Sequence, residues 1–212
     1  MIKKNLKTLI LTSVIILLPI LLGLIFWSSL PSEIPTHWNA AGEIDRYSSK
    51  SFAVFALPMI MLVLHWLCAF FTHTDKKNAN QDRKPMTMVF WICPIISIVL
   101  FGLMYAVAMG MDIAVNAIMP LILGVVFVVV GNYLPKCRQN YTIGIKLPWT
   151  FQSEENWNKT HRFGGKLMVL AGFLLMLSVL LPENWSVWCI LIILAIWVLA
   201  ITVYSYGLSR KQ

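Results

Sequence analysis

The side chains with the widest chemical reach in this 212-residue chain are four histidines and nine carboxylates, and few of them are spaced for chemistry. His37, Glu43 and Asp45 share one short segment, but their spacing matches no established zinc or calcium loop. A hydrogen-bonded structural role is the favoured reading. His37 with Asp45, and His161 with Glu154, are the only pairs that a general acid–base enzyme could use. No serine or cysteine nucleophile stands in a recognisable setting beside either pair. No catalytic residue, cofactor or metal site is therefore expected. Cys68, Cys93, Cys137 and Cys189 are absent from the segment around His37, so they imply no disulfide framework there.

The long apolar stretches carry no Asp, Glu, Lys or Arg away from their ends. A charge in lipid is costly and marks function when it occurs, so this lack argues against a proton relay. The absence of a Walker A phosphate loop argues against a nucleotide-driven pump. The one ionisable side chain at depth is His65, and a neutral imidazole bonded to a neighbouring helix accounts for it.

These residues must be positioned by elements suited to a bilayer. Apolar residues make up 58% of the chain and charged residues 12%, about half the charged share of an ordinary soluble domain. A helix rising about 1.5 Å per residue needs about 20 apolar residues to cross about 30 Å of hydrocarbon. Six stretches qualify: Leu9–Trp27, Phe52–Phe71, Thr87–Gly110, Ile113–Leu134, Gly164–Leu181 and Ser186–Tyr206. The fold class expected is an all-α integral membrane protein with six transmembrane helices. Very short links, Met111-Asp112 and Pro182 to Trp185, make hairpins of the last two pairs. The first stretch follows Lys3, Lys4 and Lys7 and exceeds a signal-peptide core in length, which favours a retained anchor.

Sidedness follows from basic residues in the short loops. Arg46 and Lys50 fall on one side, and the other fifteen of the seventeen Lys and Arg residues fall on the opposite side. The expectation is a multi-pass protein of the cell membrane with both termini cytoplasmic. The net charge of +8 then reports topology and attraction to anionic membrane lipids, and direct contact with nucleic acid is not expected. The outer side carries Glu33, Glu43, Asp45, Asp112 and Glu183 and is mildly acidic, a weak attraction for a cationic peptide.

Packing signals are fewer. Gly102, Ala106 and Gly110 recur every four residues along the third span, as in small-xxx-small interfaces. Tight packing against the fourth span is the favoured reading and a homodimer face the second. Trp27, Trp66, Trp185, Trp188, Tyr133 and Tyr204 sit near span ends, as interfacial anchors do.

Two long connections remain, on opposite faces. In the outer one, Pro31 and Pro35 exclude a regular helix, and Asn39 to Gly42 read as a turn between two short extended pieces, packed over the helix ends. The inner one runs from Asn132 to Lys166, with residues 135–165 as its cytoplasmic loop, and carries Asn140 to Thr150 and Trp157 to Lys166. Within it Gln152–Lys159 suggests a short interfacial helix with Ser153 as N-cap and Trp157 facing the membrane.

The segment IPTHWNAAGEIDRY, within Pro31 to Tyr47, resembles the domain of unknown function that precedes the SdpI module. The segments NYTIGIKLPWT and WNKTHRFGGK resemble the signature of the SdpI immunity-protein family itself. The resemblance spans nearly the whole chain and divides it into two parts. Residues 1–72 hold the first two helices with the outer loop, and residues 73–212 hold a four-helix SdpI-like module. It implies a Gram-positive membrane immunity protein that protects against a secreted toxin peptide. It further implies a receptor that sequesters a cytosolic transcriptional repressor at the membrane. By the same resemblance His37, Trp38, Asn39 and Asp45 are candidates for peptide contact. Gly144, Pro148, Trp149, Thr150, Trp157, Thr160, His161 and Arg162 are candidates for cytoplasmic signalling. The alternative is a transporter or channel for a small molecule or peptide.

Overall fold

The computed structural model describes residues 2–81, 83–182 and 185–211; Glu183 and Asn184, in the expected link between the last two spans, lie outside the described residues. Among the described residues six helices are long and apolar enough to cross a membrane, and the chain is a multi-pass membrane protein. They are α1 (Ile2–Ile25), α2 (Leu57–Thr74), α3 (Arg83–Ala108), α4 (Val115–Tyr133), α5 (Glu154–Leu177) and α6 (Ser186–Ser209). Between α1 and α2 stand two strands, β1 (Glu33–Trp38) and β2 (Ile44–Ser49), paired antiparallel. A π-helical turn at Phe52–Ala56 leads into α2.

The contacts divide the chain into two units. One comprises residues 1–74 and 87–113, the other residues 75–86 and 114–212. This division differs from a boundary at residue 72, because most of α3 packs with the first two helices. Phe101, Met104 and Tyr105 share a buried cluster with Leu30, Ile34, Ala53 and Val54. Pro19 sits inside α1, where it removes a backbone donor. Ser97 Oγ donates to Ile16 O at 3.2 Å and Tyr105 OH to Pro19 O at 3.1 Å, so two hydroxyls of α3 tie it to α1 beside the proline. His65 is buried and bonded to Thr12 of α1 through Nε2 at 2.9 Å, the bond to a neighbouring helix that was expected. Its Nδ1 has no partner among the described residues.

In the second unit α4 and α5 approach backbone to backbone. A Cβ on Gly124 would stand 2.6 Å from Gly172 O, and one on Gly172 would stand 2.6 Å from Gly124 O. Gly131 and Gly165 repeat the arrangement, at 2.8 and 2.6 Å. Each residue of these pairs lies seven positions from its counterpart in the other pair, two helical turns apart on one face. The close glycine approach described here is thus that of α4 and α5. A Cβ at Gly102 or Gly110 would meet nothing within 4 Å. The last two helices pack as a pair: Trp197 Nε1 donates to Gly164 O at 3.1 Å, and Phe163 stacks on Tyr204 at 4.3 Å.

Helix α5 is longer than its apolar stretch. Ser153 does cap it, accepting from Asn156 N–H at 3.2 Å, but the helix runs unbroken through Leu177. The expected short interfacial helix is its first two turns. Nor does Trp157 face the membrane; it is fully buried, because that end of α5 packs under the connection from α4.

Candidate functional site

The first unit presents the β1–β2 hairpin. Its root is anchored: Ile34 is fully buried and Pro35 is buried. Lys50 Nζ donates to Trp27 O at 2.9 Å and lies over the Trp27 ring. A cation thereby meets the carbonyl end of the segment leaving α1, where helix carbonyls are unpaired. Its tip is organised by Asn39, whose Oδ1 accepts from Ala41 N–H at 2.9 Å and Glu43 N–H at 3.0 Å, while its amide donates to Glu43 Oε2. The turn at Asn39 to Gly42 follows from this side-chain mimicry of backbone.

Beyond the root the hairpin is open. His37 Nδ1 and Asp45 Oδ1 are 2.6 Å apart, with side chains 56% and 42% exposed. The register slips between Pro35 and Trp38, and such bulges re-aim side chains. Trp38 is half-buried, whereas Arg46 and Tyr47 are exposed. Of the expected peptide-contact residues, His37, Trp38, Asn39 and Asp45 thus cluster on one hairpin. Among the described residues no three His, Cys, Asp or Glu converge as metal ligands would.

The second unit holds a polar cap built from residues 75–81, 134–153 and the ends of α5 and α6. Asp75 Oδ2 accepts from Tyr141 N–H at 2.7 Å and Thr142 Oγ1 at 3.2 Å, and its Oδ1 from Lys77 N–H at 3.0 Å. Asn140 is fully buried, accepting from the Thr142 and Ile143 amides and donating to the Arg138 and Ile143 carbonyls. Gln81 clasps the Arg138 backbone from both sides, at 2.8 and 3.0 Å. A connection this rich in backbone polar groups can be buried only when each is paired, and these amides do the pairing.

The aromatic side of the cap runs from α6 to α5. Trp149 Nε1 donates to Ser205 Oγ at 2.7 Å; Ser205 Oγ donates to Asn156 Oδ1, which also accepts from Thr160 Oγ1. Trp157 Nε1 donates to Cys137 O at 2.8 Å. The His161 ring stacks on Trp157 with centroids 4.0 Å apart. Its Nδ1–H donates to Trp157 O at 2.8 Å and its Nε2 accepts from Ile145 N–H at 3.0 Å. Both nitrogens are committed, which selects the neutral Nδ1–H tautomer and leaves no bond to Glu154. Thr150 Oγ1 accepts from Leu147 N–H, closing the turn that carries Pro148 and Trp149.

The expected signalling residues therefore divide. Thr150, Trp157, Thr160 and His161 are buried, Gly144 and Trp149 half-buried, and Pro148 and Arg162 exposed. Asp75, Asn78, Asn140, Asn156 and Ser205 belong to the same cap and were not anticipated. The run Asn140-Tyr141-Thr142 carried a signal for Asn140 alone, since Asn bonding the backbone two residues on is a turn former.

Comparison with known proteins finds two family models and a curated relative. Residues 136–205 match the model of the SdpI/YfhL protein family, and residues 14–62 match a domain of unknown function, DUF1648. The chain is 25% identical over 212 residues to the immunity protein SdpI of Bacillus subtilis (strain 168), covering 99% of this chain and 97% of that protein. No solved structure matches it.

Proposed function

We propose that this chain is a non-enzymatic immunity protein of the cell membrane, protecting its producer from a secreted, membrane-active peptide. The observation that carries the reading is the similarity to an immunity protein over nearly the full length of both chains. The excess of basic residues on one side supports a hairpin facing outward and both termini and the polar cap facing the cytoplasm. In this reading a peptide docks on the hairpin around His37, Trp38, Asn39 and Asp45 and is held away from the bilayer. A docked ligand shifts a conformational equilibrium only through its differential affinity for the two states. The cap around Trp149 and Arg162 is the element whose altered packing a soluble repressor would read at the membrane.

The test is survival. Cells expressing the protein are challenged with a panel of membrane-active peptides against vector controls. Protection against at least one peptide is expected, and equal killing across the panel contradicts the reading.

A further inference from the structure

We propose that the outer edge of β2 takes up an extended, cationic peptide segment as an added third strand. The inference deepens the immunity reading and rests on it, since it names how the hairpin holds its ligand and what chemistry that ligand carries.

The pairing of β1 with β2 decides which backbone groups face outward. Pro35 stands opposite Tyr47 and has no N–H. The two therefore form the kind of antiparallel pair that exchanges no hydrogen bonds. Its neighbour, Ile34 opposite Ser48, is then a bonded pair, and the next bond in that alternation is Lys50 N–H donating to Ser32 O at 2.8 Å. By the same alternation Tyr47 N–H, Tyr47 C=O and Ser49 N–H point away from β1.

The outer edge of β1 offers no equivalent. It lacks a donor at Pro35, and both Ile34 and Pro35 are buried. Proline is one of the devices by which natural sheets blunt an edge. Strand β2, Ile44-Asp45-Arg46-Tyr47-Ser48-Ser49, contains none, and its Asp45, Arg46, Tyr47 and Ser49 are exposed. Its 6 residues extend about 20 Å at about 3.3 Å each. Peptides add to such edges through main-chain hydrogen bonds, while side chains at alternate positions give specificity.

Charge selects the occupant. The hairpin exposes Glu33, Glu43 and Asp45 against Arg46, and Lys50 is turned back onto the Trp27 carbonyl and ring. Two hairpins joined edge to edge would double this acidic charge, whereas a cationic segment offsets it. Tyr47, 53% exposed, offers its ring to the residue opposite on the added strand, where a β-branched side chain packs well.

The test uses the full chain in phosphatidylcholine nanodiscs, which present a cationic peptide with no anionic lipid. The probe is fluorescent (Lys-Val)4, read by anisotropy, with (Glu-Val)4 as its anionic counterpart. The cationic probe should bind at least about tenfold more tightly than the anionic one. Tyr47→Pro removes an outward donor but no bond to β1, and should weaken binding about tenfold. Tyr47→Val keeps the donor and should weaken it less than about threefold. Carbonyl carbon-13 labels in the probe should report an extended strand in the infrared. If Tyr47→Pro does not fold, a probe N-methylated at every residue decides, and its binding to the unaltered chain should be at least about tenfold weaker.

A helical bound probe would overturn the proposal, as would equal binding of (Glu-Val)4 or of the N-methylated probe. Equal losses in Tyr47→Pro and Tyr47→Val would mark a side-chain site and overturn it too. Dimers lost in Tyr47→Pro with probe binding unchanged would assign the edge to a second copy of the chain. In cells, Tyr47→Pro should lose protection that Tyr47→Val keeps. Full protection by Tyr47→Pro sinks the added strand alone, whereas no protection by the unaltered chain sinks the immunity reading whatever the probe does.

Discussion

Gly144 lies against the imidazole of His161 so closely that a Cβ there would overlap Nε2. Its φ of +109° is a conformation that side chains with a Cβ resist. The two features have one cause: the chain must turn sharply at Gly144 to bring the Ile145 amide onto His161 Nε2. Gly144→Ala should therefore destabilise the protein by about 3 kcal/mol, combining strain and overlap. Thermal unfolding in detergent would check this, and a melting temperature within a degree of the wild type would contradict it.

His161→Phe retains a ring to stack on Trp157 but cannot accept from Ile145 N–H. A loss of about 1–3 kcal/mol is expected from the unpaired buried amide. His161→Ala should cost more, because the stack is lost as well. Unfolding midpoints for the two variants separate the contributions, and equal midpoints would mean that the hydrogen bond carries the whole effect.

Helix packing gives a paired prediction. Gly124→Ala pushes a methyl against the Gly172 carbonyl and should destabilise by about 2 kcal/mol. Gly102→Ala meets open space and should be neutral or stabilising by up to about 1 kcal/mol through helix propensity. A loss of stability at Gly102 equal to that at Gly124 would revive the α3 stripe as a packing face.

On the hairpin, Asp45→Asn weakens an exposed pair with His37. Such pairs are worth less than about 1 kcal/mol, so the melting temperature should barely move. If the hairpin meets the peptide, protection should fall several-fold all the same. Unchanged protection would remove His37 and Asp45 from the contact surface.

Much of the membrane architecture was legible because hydropathy answers to the same cost that drives insertion. The apolar stretch Ile113–Leu134 coincides closely with α4 at Val115–Tyr133, and the hairpin turn could be read from Asn39 to Gly42. The polar beginning of α5 was not legible as part of a membrane helix. Glu154 to Phe163 lies outside the apolar stretch; Ser153 signals a helix start there, and the burial of Asn156, Trp157, Thr160 and His161 under the preceding connection accompanies its continuation into the span. Partner choice among small residues was equally hidden. Gly102 and Gly124 look alike in sequence, and what separates them is the backbone of Gly172, distant in the chain. The candidate residues around Trp157 come from the family resemblance, whereas Asn156 and Ser205, which hold them, are common polar residues with nothing local to single them out.

Peptide contact outside and repressor recognition inside require the hairpin and the polar cap to face opposite sides of the membrane. In a background with Cys68, Cys93, Cys137 and Cys189 replaced, Ala40→Cys and Gln152→Cys offer exposed reporters on the two elements. A membrane-impermeant maleimide applied to intact cells should label Ala40→Cys at once and Gln152→Cys only after permeabilisation. Labelling of both without permeabilisation, or of Gln152→Cys alone, would contradict it.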